Sequence, residues 1–288
     1  ISEANKKGII TTGQVGSRPI GVLMGFNTSV NPFSSHEEWK KIKHLSAKER
    51  NKIINNNKDI RNSLINDIPE NAHTKWIKQT FSLAYLLKEP LNYEPTKEMS
   101  INSLASELNK SPWEIILNHF ISSDNDEFVM HTFENYTHNN LDVIAEMLES
   151  EYTICGVGDA GAHVATICDA SYPTFMLPFW SRDRTRGKLL NLEHLVAKQT
   201  LKTAQTYGLN DRGALLKGMR ADINIIDYDK ISLTKPSLSY DLPAGGKRLI
   251  QKSNGYNHTF VKGIEVSHNG EFTGELPGKL IRGKQSIN

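Results

Sequence analysis

The sequence predicts an α/β fold followed by a small module rich in β-strands. A one-faced helix over 141–148 leads into a short apolar run at 152–157, which is typical of a buried strand. A helix that feeds a buried strand is the repeating unit of α/β sheets and barrels. After Gly218 the pattern changes to short β-type runs separated by turn residues, which marks the second module.

The composition excludes two classes of partner. The chain has 288 residues, 38% of them hydrophobic and 23% charged, with a formal net charge of +2. This charge supplies no basic field for nucleic acid, and no apolar run approaches the roughly 18 residues that span a bilayer. The two cysteines stand in apolar surroundings and are too few for a disulfide framework. The cysteine content fits a reducing compartment, and we therefore expect a cytoplasmic protein.

The apolar run at 152–157 ends in the segment Gly158-Asp159-Ala160-Gly161. A carboxylate at the C-terminal end of a buried strand is placed where α/β barrels carry catalytic groups. The flanking glycines let a ligand approach the backbone closely. Asp159 is therefore the candidate catalytic residue.

Two other interpretations of this segment stay open on the residues alone. Asp and Gly are common turn residues, so a simple turn would also produce the pattern. Gly156, Gly158 and Gly161 match the spacing G-x-G-x-x-G of dinucleotide-binding folds. That motif requires a helix directly after it and an acidic residue about 20 positions on, and the sequence offers an early Pro173 and a basic segment instead.

A β-branched run over 9–15 follows a helix stop at Gly8 and predicts a strand. Arg18 lies just beyond it. A planar guanidinium at a strand end suits a substrate carboxylate. A surface arginine in a loop is the alternative.

The segment from 27 to about 150 is predicted to be mainly helical. Capping boxes are expected at Ser35–Glu38 and Ser46–Glu49, and Ser111 with Pro112 and Glu114 predicts the start of another helix. An amphipathic helix is expected over 51–67. His131 and His138 are each interpreted as structural or surface residues.

Beyond the glycine-rich segment, residues 170–187 are predicted to be irregular and to form a mobile wall over the site, with an ordered surface loop as the alternative. Asn191 is predicted to cap a helix that ends before Gly208. Its predicted buried residues are Leu192, Leu195, Val196, Leu201 and Ala204. Residues 257–263 and 264–270 are predicted to form a strand, turn and strand.

Several of these stretches together resemble the C-terminal portion of the amidohydrolase superfamily, in its N-acyl-D-amino-acid deacylase branch. The stretches that carry the resemblance are Gly158–His163, Leu195–Thr200 with Ala204 and Gly208, Arg212–Gly213, Lys217–Asp227, Thr166–Ser171, Asp241–Gly246, Tyr256, Gly263, Gly274–Gly278 and Arg282–Gly283. The resemblance covers roughly Asp142 to Gly283, and more loosely Ile9 to Gly21.

The resemblance implies a zinc-dependent (β/α)8 TIM barrel with a flanking β-sandwich. By position it implies that Asp159 is the catalytic carboxylate, a general acid and base acting on metal-bound water, and also a ligand to a second metal. Substrate contacts are expected at Arg18 and at His163. For His163 a hydrogen bond to a backbone carbonyl is the equal alternative.

One feature departs from the family pattern, because the sequence contains no H-x-H pair of metal ligands. We expect the other zinc ligands upstream of Ile1, so that this chain is a C-terminal fragment that would be inactive alone. The expected domains are the barrel part at 1–219, with a helical insertion at about 27–150, and the sandwich segment at 220–288. The implied function is hydrolysis of N-acyl-D-amino acids. The alternatives are a cyclic-amide hydrolase of the hydantoinase or dihydroorotase type and a non-catalytic module that retains the fold.

Overall fold

The computed structural model describes residues 1–158 and 161–287, in which α-helices precede a strand-rich C-terminal part. The α-helices are α1 Ser2–Lys6, α2 Glu37–Ile42, α3 Ala47–Asn56, α4 Lys58–Asn66, α5 Ala72–Thr80, α6 Ile101–Glu107, α7 Pro112–Phe120, α8 Asp142–Glu149, α9 Tyr172–Pro178, α10 Leu192–Ala197 and α11 Thr203–Thr206. The strands are β1 Gly13–Val15, β2 Ile20–Met24, β3 Ala84–Leu87, β4 Phe128–Glu134, β5 Thr153–Cys155, β6 Ile223–Ile226, β7 Ser232–Leu233, β8 Ser237–Leu242, β9 Gly246–Ile250, β10 Ser253–Asn254, β11 Tyr256–Val261, β12 Ile264–His268 and β13 Glu271–Phe272. None of the described helices has the length and apolar character that crossing a bilayer requires.

Two hydrophobic cores lie on opposite faces of an antiparallel sheet with the strand order β2-β4-β3. Side chains of a strand alternate between its faces, and neighbouring residues of β4 therefore enter different cores. Phe128 and Met130 are buried in one core, whereas Val129 is buried in the other. In β2, Leu23 and Met24 divide in the same way. The sheet is thus buried on both sides and separates the two cores.

Helices α2 to α7 cover one face of this sheet. The start of α7 confirms the predicted helix, because the Ser111 side chain accepts a hydrogen bond from the Trp113 backbone N–H and Pro112 occupies the first turn. The predicted capping role of Glu114 is not observed, since its carboxylate accepts a hydrogen bond from Lys110 Nζ at 2.7 Å. The predicted helical insertion at about 27–150 also contains β3 and β4, which pair with each other and, through β4, with β2.

Of the two capping boxes expected near the start of this helical layer, one is confirmed. Ser46 and Glu49 cap each other's backbone at the start of α3. At α2 the box from Ser35 was wrong, because His36 is the capping residue and its Nδ1 accepts a hydrogen bond from the Glu38 backbone N–H at 3.1 Å. An imidazole nitrogen replaces the expected hydroxyl as acceptor.

The single helix predicted over 51–67 is instead two helices, α3 and α4. They are separated at Asn57, whose side-chain oxygen accepts hydrogen bonds from the backbone N–H groups of Asp59 and Ile60. Asn competes well for backbone donors and favours helix starts over helix interiors. The helix cap formed by Asn57 therefore interrupts the single helix that the amphipathic pattern predicts.

The other face of the sheet is covered by α8, α9, α10 and the strands β1 and β5. The core on this side contains the buried residues Val15, Tyr136, Ile144, Leu148, Phe175, Met176, Trp180, Leu195, Ile231 and Leu249 among others. Trp180 is fully buried, and its indole N–H donates to the Ser17 backbone carbonyl at 2.7 Å. This contact ties the helical turn that follows α9 to the segment that follows β1.

The irregular wall predicted over 170–187 was wrong, because most of this segment is helical. Tyr172–Pro178 form α9, and Phe179–Asp183 continue it as a π-helical turn. Pro173 is compatible with the helix because it stands in the first turn, where a backbone N–H has no partner to lose. Burial of the aromatic side chains then outweighs the irregular pattern of the sequence.

The arginines of this segment are anchors within the protein. Arg184 Nε and Nη2 donate to the two oxygens of the Glu94 carboxylate at 3.0 and 2.8 Å, and Nη2 also donates to Asp142 at 2.6 Å. The side chains of Arg184 and Glu94 are 0% and 4% exposed. Arg186 Nη1 donates to the Glu94 carbonyl, and Arg182 contacts the backbone carbonyl of Tyr228. The segment is therefore fixed to the rest of the protein at several points.

The strands β1 and β5 form the one parallel pair among the named strands of residues 1–158 and 161–287. The helix α8 precedes β5, as predicted. A closed (β/α)8 barrel is not seen in the described part of the chain. The barrel therefore stays a prediction.

The β-rich module after Gly218 is confirmed. It contains a four-stranded antiparallel sheet with the order β13-β12-β11-β6 and the two-stranded pairs β8-β9 and β10-β7. The predicted strand, turn and strand correspond to β11 and β12. Ile231 and Leu249 of this module are buried in the core that also contains Trp180.

We expect that Arg184→Met lowers the free energy of unfolding by about 3–5 kcal/mol, because it leaves the Glu94 carboxylate buried without its cation. The control is Lys188→Met, since Lys188 pairs with Glu149 at the surface and such pairs contribute about 0–1 kcal/mol. Urea unfolding monitored by tryptophan fluorescence measures both variants. Equal losses in the two variants would show that the buried pair has no special role.

Candidate active site

The parallel pair of β1 and β5 places two chain segments at the same edge. Val15 is paired with Cys155, and the Gly156 backbone N–H donates to the Val15 carbonyl at 2.9 Å. Because parallel strands run in one direction, the residues after Val15 and the residues after Cys155 meet at their C-terminal ends. Asp159, the predicted catalytic carboxylate and metal ligand, lies outside the described residues, whereas Gly158 and Gly161 on either side are described.

A cavity of about 190 Å³ opens at this edge. It is smaller than the roughly 300–1,000 Å³ typical of sites for drug-sized ligands, so it accommodates only a part of a substrate. Its lining residues are Ser17, Cys155, Gly156, Gly158, Tyr172, Pro173, Met176, Gln199 and Thr203. A larger cavity of about 530 Å³ lies between α9 and the segment around Tyr93. We place the candidate site at the smaller cavity, because strand ends carry the catalytic groups in α/β folds.

The backbone is crowded and strained at the end of β5. A Cβ atom on Gly156 would lie 2.9 Å from Gln14 Cβ, so only glycine lets the two strand ends approach this closely. The next residue, Val157, has a φ of 64°. A left-handed conformation is unusual for a β-branched residue, and such strain is found most often at ligand and active sites.

Lys198 holds the start of β5 in place. Its Nζ donates to the carbonyls of Ser150 and Thr153 at 2.8 and 2.7 Å and to Thr153 Oγ1 at 2.9 Å. The residue is 2% exposed, and burial lowers the pKa of its ammonium group. Sequence analysis missed Lys198 because lysine is normally a surface residue. The available signal was its position three residues after the buried Leu195, on the same face of the helix.

The buried face predicted for the helix after Asn191 is confirmed in part, because Leu192 and Leu201 are only half-buried. Leu195 and Ala204 are buried as predicted, but Val196 is 41% exposed. A π-helical turn at Lys198–Lys202 joins α10 to α11, and such a turn shifts the helical period by one residue. Gly208 ends the helix with a φ of 72°, as predicted for its stop signal.

Arg18 is buried close to the candidate site and is 4% exposed. Its guanidinium lies between the rings of Tyr93 and Tyr172, with Cζ 4.4 and 4.5 Å from the ring centroids. Nη2 donates to the Cys168 carbonyl at 2.6 Å, and Nη1 donates to Gln251 Oε1 at 3.4 Å. The cavity that Arg18 lines measures about 20 Å³, which is about the space of one water molecule.

His163 is exposed and has a φ of 46°. Its backbone carbonyl accepts hydrogen bonds from the N–H groups of Thr166 and Ile167 at 2.9 and 3.0 Å. These bonds close a turn just after the glycine-rich segment. His163 is thus near the candidate site in sequence, and its predicted role as a substrate contact stays a prediction.

The two cysteines are free thiols. Cys155 lines the candidate cavity, and its Sγ lies 3.1 Å from Met176 Sδ. Burial raises the pKa of both the Cys155 and the Cys168 thiol to about 11. A thiol that stays protonated is a poor nucleophile and a poor metal ligand, so neither cysteine is a candidate catalytic group.

A resident zinc ion requires at least three side-chain ligands within about 2 Å of one point. Among residues 1–158 and 161–287, one group of three potential ligands converges, formed by His258, Glu265 and His268. These residues belong to β11 and β12 of the β-rich module, whereas the candidate active site is at β1 and β5. The described residues of the candidate site therefore do not hold a zinc ion by themselves.

Comparisons with known proteins relate this chain to amidohydrolases. A model of the amidohydrolase family matches residues 88–266, which is more than half of the chain. The chain is similar to the N-acyl-D-glutamate deacylase of Alcaligenes xylosoxydans xylosoxydans, with 33% identity over 101 residues. It is also similar to the N-acyl-D-aspartate deacylase of the same organism, with 35% identity over 95 residues. These matches cover 35% and 33% of this chain and only 19% and 17% of the relatives.

Among solved structures, the chain is similar to a D-aminoacylase with 21% identity and a TM-score of 0.38. That similarity covers 67% of this chain and 36% of the D-aminoacylase chain. With a TM-score below 0.5, the match does not define the fold of this chain. The chain corresponds to well under two thirds of the length of each of these relatives.

We expect Cys155 and Cys168 to react with Ellman's reagent at pH 8 about two orders of magnitude more slowly than a free cysteine, because thiols with a pKa near 11 are almost fully protonated there. Each unit of added pH should raise the rate about tenfold until the pH approaches the thiol pKa. The same protein in urea is the control, and both thiols should react rapidly in it. Rapid reaction of the folded protein at pH 7 would contradict the burial of the thiols.

We expect Lys198→Met to destabilise the protein by about 2 kcal/mol or more, because it removes three hydrogen bonds and leaves the Thr153 carbonyl without its charged donor. The control is Lys202→Met in the same helical turn, where the side chain is exposed. Amide hydrogen exchange in β5 should increase only in the Lys198 variant. Unchanged exchange in that variant would mean that Lys198 does not fix the strand.

Proposed function

The chain belongs to the amidohydrolase family, and we propose that it is part of a zinc-dependent enzyme that hydrolyses N-acyl-D-amino acids to a carboxylate and a free D-amino acid. The similarity to two N-acyl-D-amino-acid deacylases carries this proposal. The geometry at the ends of β1 and β5 supports it, because a cavity, a strained backbone and a glycine-rich segment coincide there. The substrate is accordingly a small N-acyl amino acid.

In this proposal Asp159 is the general acid and base. Its carboxylate accepts a proton from the water that attacks the acyl carbonyl and delivers that proton to the leaving nitrogen as the C–N bond breaks. Water supplies the oxygen of the new carboxylate, and both of its protons end on the leaving nitrogen, so one amide and one water yield one carboxylate and one ammonium group. Gly158 and Gly161 allow the substrate to approach the backbone on both sides of this residue.

The proposed zinc would be held by ligands from sequence outside this chain, with Asp159 able to bind a second metal. The described part of the candidate site has no three converging metal ligands, which supports a zinc site completed by residues outside this chain. The proposal that other ligands lie outside this chain is also supported by the extent of the sequence matches, which span under a fifth of the length of each deacylase. When bound, zinc would polarise the carbonyl and lower the pKa of a bound water.

We propose Arg18 and His163 as substrate contacts that differ in their accessibility to the substrate. His163 is exposed beside the glycine-rich segment and needs no rearrangement. Arg18 suits a substrate carboxylate by its chemistry. Because it is enclosed between Tyr93 and Tyr172, a carboxylate can reach it only if one of these rings moves.

We propose a cytoplasmic location for the enzyme, because both cysteines are free and have no role in a disulfide framework. The domain division at about residue 219 is also part of the proposal. It is supported by the change from helices to antiparallel strands at this point. The barrel part would carry the chemistry, and the β-rich module would flank it.

The test is hydrolysis of N-acetyl-D- and N-acetyl-L-amino acids, including those of glutamate and aspartate, with zinc added. The chain is expressed together with the upstream sequence of its reading frame. Asp159→Asn should lower kcat about 10²–10⁴-fold, as expected for loss of a general acid and base. Asp229→Asn, an exposed carboxylate of the β-rich module, is the matched control and should retain activity.

If the folded, zinc-loaded protein leaves every N-acyl amino acid intact, the deacylase proposal fails. Turnover of hydantoins or dihydroorotate would then identify a cyclic-amide hydrolase. Failure with both substrate classes would favour a non-catalytic module. Turnover that survives Asp159→Asn unchanged would remove Asp159 from the chemistry and leave the activity assignment in place.

A further inference from the structure

We propose that His258, Glu265 and His268 form a binding site for a divalent transition-metal ion of the zinc class on the hairpin of β11 and β12. This site is separate from the metal centre proposed for catalysis. It depends on neither Asp159 nor the deacylase activity, so either proposal can fail without the other.

The three side chains already converge on one point. Nδ1 of His258 and Nδ1 of His268 lie 2.7 and 2.9 Å from the same oxygen, Glu265 Oε1. The ligand atoms of the three residues all lie within 4.8 Å of one another. The side chains are 34%, 33% and 56% exposed for His258, Glu265 and His268, so an ion can reach them from solvent.

The strand register explains why these residues share a face. His258 is paired directly with His268 across the hairpin, and Phe260 is paired with Glu265. Residues 265 and 268 are three apart and would face opposite sides of a regular strand. The register shifts between Thr259 and Phe260, and this β-bulge turns Glu265 to the side of His268.

The donor set suits zinc. Two imidazoles and one carboxylate are the protein ligands of many zinc sites that keep a fourth position for water. In tetrahedral coordination with bonds near 2 Å, ligand atoms are about 3.3 Å apart. The two distances between nitrogen and oxygen must therefore widen by about half an ångström, and the two nitrogens must approach each other, which side-chain rotation can supply.

The surroundings of the cluster favour a cation. Glu271 of β13 is paired with His268, so its side chain projects from the same face of the sheet. His258 stacks on Phe260 with ring centroids 6.0 Å apart, which restricts the imidazole on its apolar side. Hydrogen bonds from the two histidines lower the pKa of the Glu265 carboxyl.

The alternative is a purely structural hydrogen-bonded cluster, in which each imidazole donates its Nδ1 proton to Glu265. A metal ion would displace both of these protons, because only an unprotonated nitrogen binds it. Zinc binding should therefore weaken as the pH falls, because protons and the metal ion compete for the same imidazole nitrogens. A structural cluster alone would bind no ion at any pH.

The experiment is calorimetric titration of the chelator-treated chain with zinc chloride at pH 7.5. We expect one site that Glu265→Gln and His268→Gln each weaken at least about tenfold, as loss of a direct ligand requires. His44→Gln and His138→Gln are the matched controls, because both histidines are exposed and lie outside the hairpin. They should leave the affinity unchanged.

A second measurement on the unaltered chain covers the case in which a variant fails to fold. Zinc should perturb the imidazole NMR signals of His258 and His268 in one step and leave those of His44 and His138 in place. Binding that is equally strong in the hairpin variants and the controls would overturn the proposal. So would a titration in which the signals of His258 and His268 do not move.

Discussion

The sheet formed by β2, β4 and β3 must be covered on both faces, because its side chains alternate between two apolar surfaces. One cover is the helical layer α2 to α7. The other consists of α8, α9, α10 and the parallel pair that carries the candidate active site. The site therefore depends on an element far from it in sequence. If the helical layer were lost, Val129 and Met24 would be exposed, and the sheet that supports the site would lose one of its two cores.

Local signals in the sequence predicted the elements that depend on local physics. The start of α7 at Ser111, the passage from α8 into β5 and the hairpin of β11 and β12 all follow from capping and periodicity. The antiparallel pairing of β3 with β4 was not predictable in this way, because it joins segments more than 40 residues apart. Sequence periodicity indicates a strand but not its partner.

The features that the sequence did not reveal share a physical cause. Lys198 and Arg184 are charged residues whose burial depends on acceptors from distant parts of the chain. Residue type alone assigns both to the surface. Similarly, His258 and His268 form a cluster of potential metal ligands only because a β-bulge brings Glu265 to the same face of the sheet. Asp159 is proposed from the opposite kind of signal, a short sequence motif after an apolar run, and its proposed role is supported by the family resemblance and the chemistry of carboxylates.

The alternation along β4 also constrains how the gene can change. Phe128, Val129 and Met130 are consecutive, yet they serve different cores. Gain or loss of a single codon within this strand would exchange every following side chain between the two interiors. The same change in the loop at 121–127 would leave the partition intact, because loops tolerate altered length. Length variation among descendants of this gene should therefore accumulate between the strands, and β4 itself should keep its length.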